Sequence, residues 1–230
     1  MKPFAPIAGT ALLLATAMAA RAADLPASAP SFASVIDTST ADRFFIRAGI
    51  VGLVLNESAS IGAMGAKIPG ATIGIEPQVT ASLEAGYYIT PNVAIAVTGG
   101  LPPKAVIEAA GTIAPLGRLG SIVYGPTTAT LQYHVLGFGR LQPYVGIGPA
   151  VLFVFSEKDG AAQRLRVDSS VGVVGQIGAN YMFDAHWGIF GDVKAAWLGT
   201  EARGFLGPVP IKAEVRLDPV TFSAGLIHRF

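Results

Sequence analysis

The chain has 230 residues, of which 51% are hydrophobic and only 13% charged, with a net charge of +1. A soluble domain carries about 25% charge, so this chain is short of groups to wet a globular surface, and its scattered bases argue against a nucleic-acid partner. It has no cysteine, which excludes a disulfide framework and a thiolate metal site, and past the N-terminus no apolar run reaches the roughly 18 residues of a spanning helix.

Residues 1–22 read as a secretory signal, with Lys2 in the positive region, an apolar stretch from Ile7 to Ala20, and Ala20-Arg21-Ala22 as the cleavage site. Residues 23–43 are rich in Ala, Ser, Pro and Thr without a period and are expected to form a flexible periplasmic segment. The rest of the chain, 44–230, is expected to be one barrel.

Eight strand-like segments follow, at about 44–56, 74–89, 92–102, 127–136, 141–156, 165–183, 187–200 and 211–230. The second shows the pattern most clearly. Glu76, Gln78, Thr80, Ser82, Glu84, Gly86 and Tyr88 share one parity, and Pro77, Val79, Ala81, Leu83, Ala85, Tyr87 and Ile89 the other. Side chains of a strand alternate between faces, so one face is polar and one apolar. The segment exceeds the roughly five or six residues of a globular strand and suffices for the roughly 9–11 of a bilayer crossing. Only helices and closed barrels satisfy their backbone in hydrocarbon. The expected fold is therefore all-β, an eight-stranded antiparallel transmembrane β-barrel. Short connections at Thr90-Pro91-Asn92, Gly137-Phe138-Gly139 and Asp184-Ala185-His186 alternate with long ones at 57–73, 103–126, 157–164 and 201–210, the short periplasmic turns and longer extracellular loops of outer-membrane barrels.

Parity assigns the faces. Polar residues expected in the lumen are Arg47, Glu76, Gln78, Glu84, Gln132, Asp168, Gln176, Asp192 and Lys194. With both signs present, they form either a structural plug or a polar gate against water and ions. Val51, Leu53, Leu55, Leu152 and Val154 share the lumen parity toward the outer end, which makes that end apolar, unlike a water-filled porin. Tyr87, Tyr181, Trp187 and Trp197 face the lipid as aromatic girdles. The two tryptophans are ten residues apart, about 25 Å along the membrane normal at roughly 40° of tilt.

Proline has no ladder donor, so Pro102 and Pro103, facing Pro126 across the second long loop, mark a place where strand pairing lapses and a lateral opening forms. In the last segment Arg216 and Asp218 share parity with lipid-facing Phe222. Either they stand above the outer leaflet or the chain changes register at Pro219.

No catalytic or metal site is expected. Glu76 and Glu84 are eight residues apart on one strand, roughly 26 Å, too far for paired carboxylates. His134, His186 and His228 lack ligand spacing, and Gly172, Gly175 and Gly178 lie inside a strand with no helix to follow. No cofactor is implied.

The chain resembles the OmpW family of outer-membrane proteins. The likeness rests on Phe45-Ile46-Arg47-Ala48-Gly49, Tyr87 to Asn92, Gly125-Pro126-Thr127 with Leu131 to His134, Gln142 to Gly148, Gln176 to Tyr181 with Trp187, and Leu217-Asp218-Pro219 running to Arg229-Phe230. It departs at His228, where the family usually has an aromatic, and in its long N-terminal segment. The resemblance implies a narrow lumen that passes small apolar molecules, with a lateral exit into the membrane. It also implies that Phe230 is the terminal aromatic read by the barrel-assembly machinery. The expected partners are outer-membrane lipid, that machinery and small apolar solutes. The competing expectation is a structural or adhesive outer-membrane protein that binds host or phage surfaces through its loops.

Overall fold

A computed structural model of the chain describes residues 43–56 and 58–230. The expected signal and the segment after it lie outside the described residues, apart from Arg43. Among the described residues fifteen strands run in order: β1 (Phe44–Leu55), β2 (Ser58–Ala63), β3 (Ala66–Lys67), β4 (Ala71–Ile75), β5 (Gln78–Tyr88), β6 (Val93–Gly100), β7 (Lys104–Gly111), β8 (Arg118–His134), β9 (Leu141–Asp159), β10 (Gln163–Val167), β11 (Ser170–Met182), β12 (Trp187–Trp197), β13 (Gly199–Leu206), β14 (Val209–Arg216) and β15 (Pro219–Arg229). Eight of them, in the order β8-β6-β5-β1-β15-β12-β11-β9, close into an antiparallel barrel through the β8–β9 pairing.

Why the barrel closes is visible in the alternation. In β12 the outward Trp187, Ile189 and Trp197 are exposed, while Phe190, Asp192, Lys194 and Ala196 are buried. Large apolar side chains such as Ile50, Val79, Leu83, Ile95, Leu131, Ile147, Val171 and Ile177 are exposed around the wall. They form the apolar band that an outer-membrane barrel turns to lipid. The turns after β5, β8 and β11 are short, and the chain starts and ends its barrel strands at that same end.

At the opposite end the wall continues. β8 and β9, of 17 and 19 residues, are far longer than the roughly 9–11 that cross a bilayer. They run into an extension built from β7 and β4 on one side. A second sheet, in the order β10-β13-β14-β2-β3, builds the other. The long connections expected as loops are thus largely strands. Inside them lies an apolar cluster that includes Ile61, Ile73, Ile107, Leu119, Ile122, Leu165, Val167 and Val215.

Three expected segments differ in a way that moves residues. The segment 74–89 breaks at Glu76-Pro77: β4 leaves to pair with β7, and β5 begins at Gln78. Glu76 is exposed and outside any strand, so it does not line the lumen; Pro77 has no N–H to continue a ladder. The segment 165–183 breaks at Asp168-Ser169, and the break reverses parity. Leu165 and Val167 are buried on one side of it, and Ser170 and Val174 on the other. Asp168 is exposed and stands 3.9 Å from Arg203, so it too is not a lumen residue. The segment 211–230 breaks at Leu217-Asp218 without reversing parity: Val215, Leu217, Pro219 and Ile227 are all buried. The β1–β15 ladder is unbroken to Leu55↔Pro219, so the register does not shift there and Arg216 stands outside on the extension.

Candidate functional site

The lumen is layered. At the short-turn end Phe45, Tyr88, Ala94, Ala96, Met182 and Ile227 pack together, and Arg229 donates to Tyr88 Oη at 3.0 Å and to Gln142. Gly178 faces Tyr144 across the β9–β11 ladder. A Cβ there would meet the Tyr144 ring at 2.7 Å, so the missing side chain lets that ring lie against the wall. The His134 ring stacks on Tyr144, with centroids 5.0 Å apart.

Above this floor sits the polar plug. Arg47, wholly buried, donates to Glu84, to Asn180 Oδ1 at 3.0 Å and to Gln132 Oε1 at 3.2 Å. Its guanidinium lies 4.3 Å from the Tyr144 ring centre. Glu84 also accepts from Thr98 Oγ1 at 2.6 Å, Gln132 Nε2 at 3.2 Å and Gln176 Nε2 at 3.5 Å. Lys194 Nζ lies 3.1 Å from Glu84 Oε2 and 3.1 Å from Asp192 Oδ2, and Asp192 accepts further from Tyr144 Oη and Gln176 Nε2. Two cations and two carboxylates from β1, β5 and β12 therefore neutralise one another inside the barrel. Buried charges need partners of this kind, and the side chains of the network bond to one another across the lumen.

Six of the nine polar residues expected in the lumen, Arg47, Glu84, Gln132, Gln176, Asp192 and Lys194, meet in this network, and Gln78 lies apart, accepting from Tyr124 Oη at 3.2 Å. Thr98, Thr130, Tyr144 and Asn180 belong to the same network. Thr130, Tyr144 and Asn180 share the lumen parity of their strands, but an uncharged side chain gives no sign of the ion pairs it joins.

Toward the extracellular end the lumen turns apolar. Val51, Leu53 and Leu152 are buried, and Leu55 and Val154 half-buried. A cavity of about 80 Å³ lies there, floored by the Lys194 stem and walled by Val51, Leu53, Leu55, Leu152 and Val174. A second, of about 70 Å³, lies in the extension among isoleucines of β2, β4, β7 and β8. Leu152 and Leu217 line both.

The first cavity also reaches the wall, at Gly99, Gly100, Leu101, Pro103, Tyr124 and Pro126. The β6–β8 ladder ends at Thr98↔Thr128, and pairing with β8 resumes only at Lys104↔Val123. In the interval one backbone bond is made between the two edges, Tyr124 N–H to Pro103 O at 3.2 Å. The chain at Leu101 turns to the other neighbour instead, donating its N–H to Ala81 O and accepting from Thr80 Oγ1, each at 3.0 Å. Pro102, Pro103 and Pro126 supply no donors to close the interval.

On the lipid face, Tyr87, Tyr181, Trp187 and Trp197 are all exposed. Phe230 bonds its N–H to Phe44 O at 3.0 Å, and its ring packs on His228, which packs on Trp187.

These features agree with comparisons to known proteins. The outer-membrane protein AlkL of Ectopseudomonas oleovorans is 30% identical over 174 residues, covering 76% of each chain. The dibenzothiophene metabolism operon protein PahQ of Pseudomonas aeruginosa is 28% identical over 184 residues, covering 80% of this chain and 87% of the relative. The crystal structure of the outer-membrane protein OprG from Pseudomonas aeruginosa superposes with a TM-score of 0.77 at 25% identity, over 83% of this chain and 96% of that one. The OmpW family model matches residues 40–230, and the chain belongs to the OmpW family of outer-membrane β-barrel proteins.

Proposed function

We propose that the protein gives small hydrophobic molecules passive passage across the outer membrane. A solute enters the apolar extension, descends past Leu152 and Leu217 into the lower cavity, and meets the plug. It leaves sideways, through the interval between β6 and β8, into the hydrocarbon. The observation that carries this reading is the coincidence of level: the apolar cavity, the plug that floors it and the unpaired stretch of wall all meet at Thr98 and Lys194. A charged network is no path for an apolar solute, because displacing any member leaves another buried and unpaired. Lipid beyond Leu101, which is itself two-thirds exposed, offers the solute an apolar environment at no such cost. The name of PahQ, tied to the metabolism of dibenzothiophene, a compact apolar aromatic, points to the same solute class.

The experiment is uptake of a graded panel of apolar and polar solutes into proteoliposomes carrying the refolded protein. Uptake should rise with solute apolarity, with little ion conductance. Steady ion conductance would make the protein a small porin instead. Absence of both fluxes would leave a plugged barrel with a structural role.

A further inference from the structure

The outer face of the extension carries a row of cations that passage through the lumen does not use. The ladders set Arg166 opposite Arg203, Arg203 opposite Lys212, Lys212 opposite Gly62 and Gly62 opposite Lys67. One line across β10, β13, β14, β2 and β3 thus presents four cations over about 19 Å, at roughly 4.8 Å per strand. Like charges directly opposite one another on neighbouring strands destabilise a sheet, and here two such pairs lie side by side. Arg166, Arg203 and Lys212 have side chains 77%, 62% and 52% exposed, so the row is open to an anionic partner.

Their acidic partners leave the row open on one side. Glu201 lies 2.8 Å from Arg203 and 3.0 Å from Lys212, Asp168 lies 3.9 Å from Arg203, and Glu157 lies 3.5 Å from Arg166; Glu201 sits on the barrel side of the row, two residues nearer the membrane along β13. Arg164, lying 5.8 Å from the Phe205 ring centre, and Lys158 add two further cations. All six line one groove of about 1310 Å³, against the acids Glu157, Asp159 and Glu214. Asp159 is already occupied by the backbone N–H groups of Arg164 and Leu165.

The position fixes what the row meets. The opposite face of this sheet packs Ile61 and Val215 into the apolar cluster, so the cations point away from the barrel axis, into the surrounding leaflet. Arg203 is six residues along the wall from Trp197, about 15 Å higher at roughly 3.3 Å per residue and about 40° of tilt. That height is above the acyl chains, among the lipid headgroups. We propose that the row is a docking surface for the phosphates of the phosphorylated glycolipid, lipopolysaccharide, that surrounds the barrel. Arg and Lys supply charge-assisted hydrogen bonds to phosphate oxygens, and Phe205 with Pro210 offers an apolar face to a sugar ring.

The test titrates the full-length protein in detergent micelles with purified lipopolysaccharide, and in parallel with the same lipid after its phosphates are removed. The variant replaces three members of the row, Lys67→Gln, Arg203→Gln and Lys212→Gln, with Lys104→Gln on β7 as the control. At about fivefold per cation beside an anionic headgroup, the triple variant should bind about 100-fold more weakly and the control like the parent. Removing the phosphates should have the same effect on the unaltered protein, a comparison that needs no variant to fold. Heat-dependent gel mobility verifies that the triple variant is a folded barrel. Undiminished binding by the folded variant, or equal binding of the dephosphorylated lipid, overturns the proposal. So does equal affinity for a sulfated polysaccharide, which would make the row a general polyanion site.

Discussion

Glu84 and Lys194 meet across the lumen, Oε2 to Nζ at 3.1 Å, and this contact is the boundary between the plug below and the apolar cavity above. Glu84 also receives Arg47, Thr98, Gln132 and Gln176. Truncating it leaves buried Arg47 without its carboxylate and Lys194 with Asp192 alone. Removing one partner of a buried ion pair costs about 3–5 kcal/mol, so Glu84→Ala should lower stability by at least that much, and Glu84→Gln by less because its amide still accepts hydrogen bonds. Urea unfolding in micelles, followed by the fluorescence of Trp187 and Trp197, measures both. An alanine variant as stable as the parent would show that water, not the network, solvates these charges.

The interval between β6 and β8 gives a second prediction. Pro103→Val together with Pro126→Val restores two backbone donors at its edges, and valine favours a strand. Extra hydrogen bonds are worth about 0.5–1.5 kcal/mol each, enough to bias the edges toward pairing. Uptake of apolar solutes into proteoliposomes should slow several-fold while stability stays level or rises. If the doubly substituted barrel transports at the parental rate, the solute leaves by another route.

How much of this was legible beforehand follows from what alternation can encode. Arg47, Glu84, Gln132, Gln176, Asp192 and Lys194 reach the plug because period-two parity holds along uninterrupted strands. The same rule misplaced Glu76 and Asp168, because each follows or precedes a break that parity alone cannot see: Pro77 in one case, the Asp168-Ser169 kink in the other. The prolines near the unpaired interval were readable from their missing donors. The extension was not, since β2, β4, β7, β10, β13 and β14 are eight residues or fewer. Their pairing is across the sheet rather than along the chain, so Arg166 and Lys67 become neighbours of the same row only in three dimensions.

Acid should loosen one seam of the extension. Between β9 and β10 the Asp159 carboxylate accepts the N–H groups of Arg164 and Leu165, each at 2.9 Å. Those two bonds hold its pKa below the ordinary carboxylate value. A depressed folded pKa stabilises above the unfolded pKa, and that contribution is lost as pH falls through the folded value. Amide protection at Arg164 and Leu165, corrected for intrinsic exchange, should therefore hold from neutral pH through mildly acidic pH and drop only in stronger acid. In Asp159→Ala it should be low throughout. Protection that is identical in the two proteins would mean that Asp159 does not hold the seam.

Leu152 offers the sharpest separation of passage from stability. It is buried and lines both cavities, so the proposed solute path would narrow beside it. Leu152→Ala leaves a void and should cost about 2–5 kcal/mol. Leu152→Trp overfills the same space and should cost about 1–3 kcal/mol. Both variants are thus expected to be less stable than the parent, but they move the neck in opposite directions. Uptake of a bulky apolar solute should be preserved or faster in the alanine variant and strongly reduced in the tryptophan variant. Loss of stability cannot produce that divergence, because it has the same sign in both. Equal uptake by the two proteins, each verified as a folded barrel, would place the path of the solute away from Leu152.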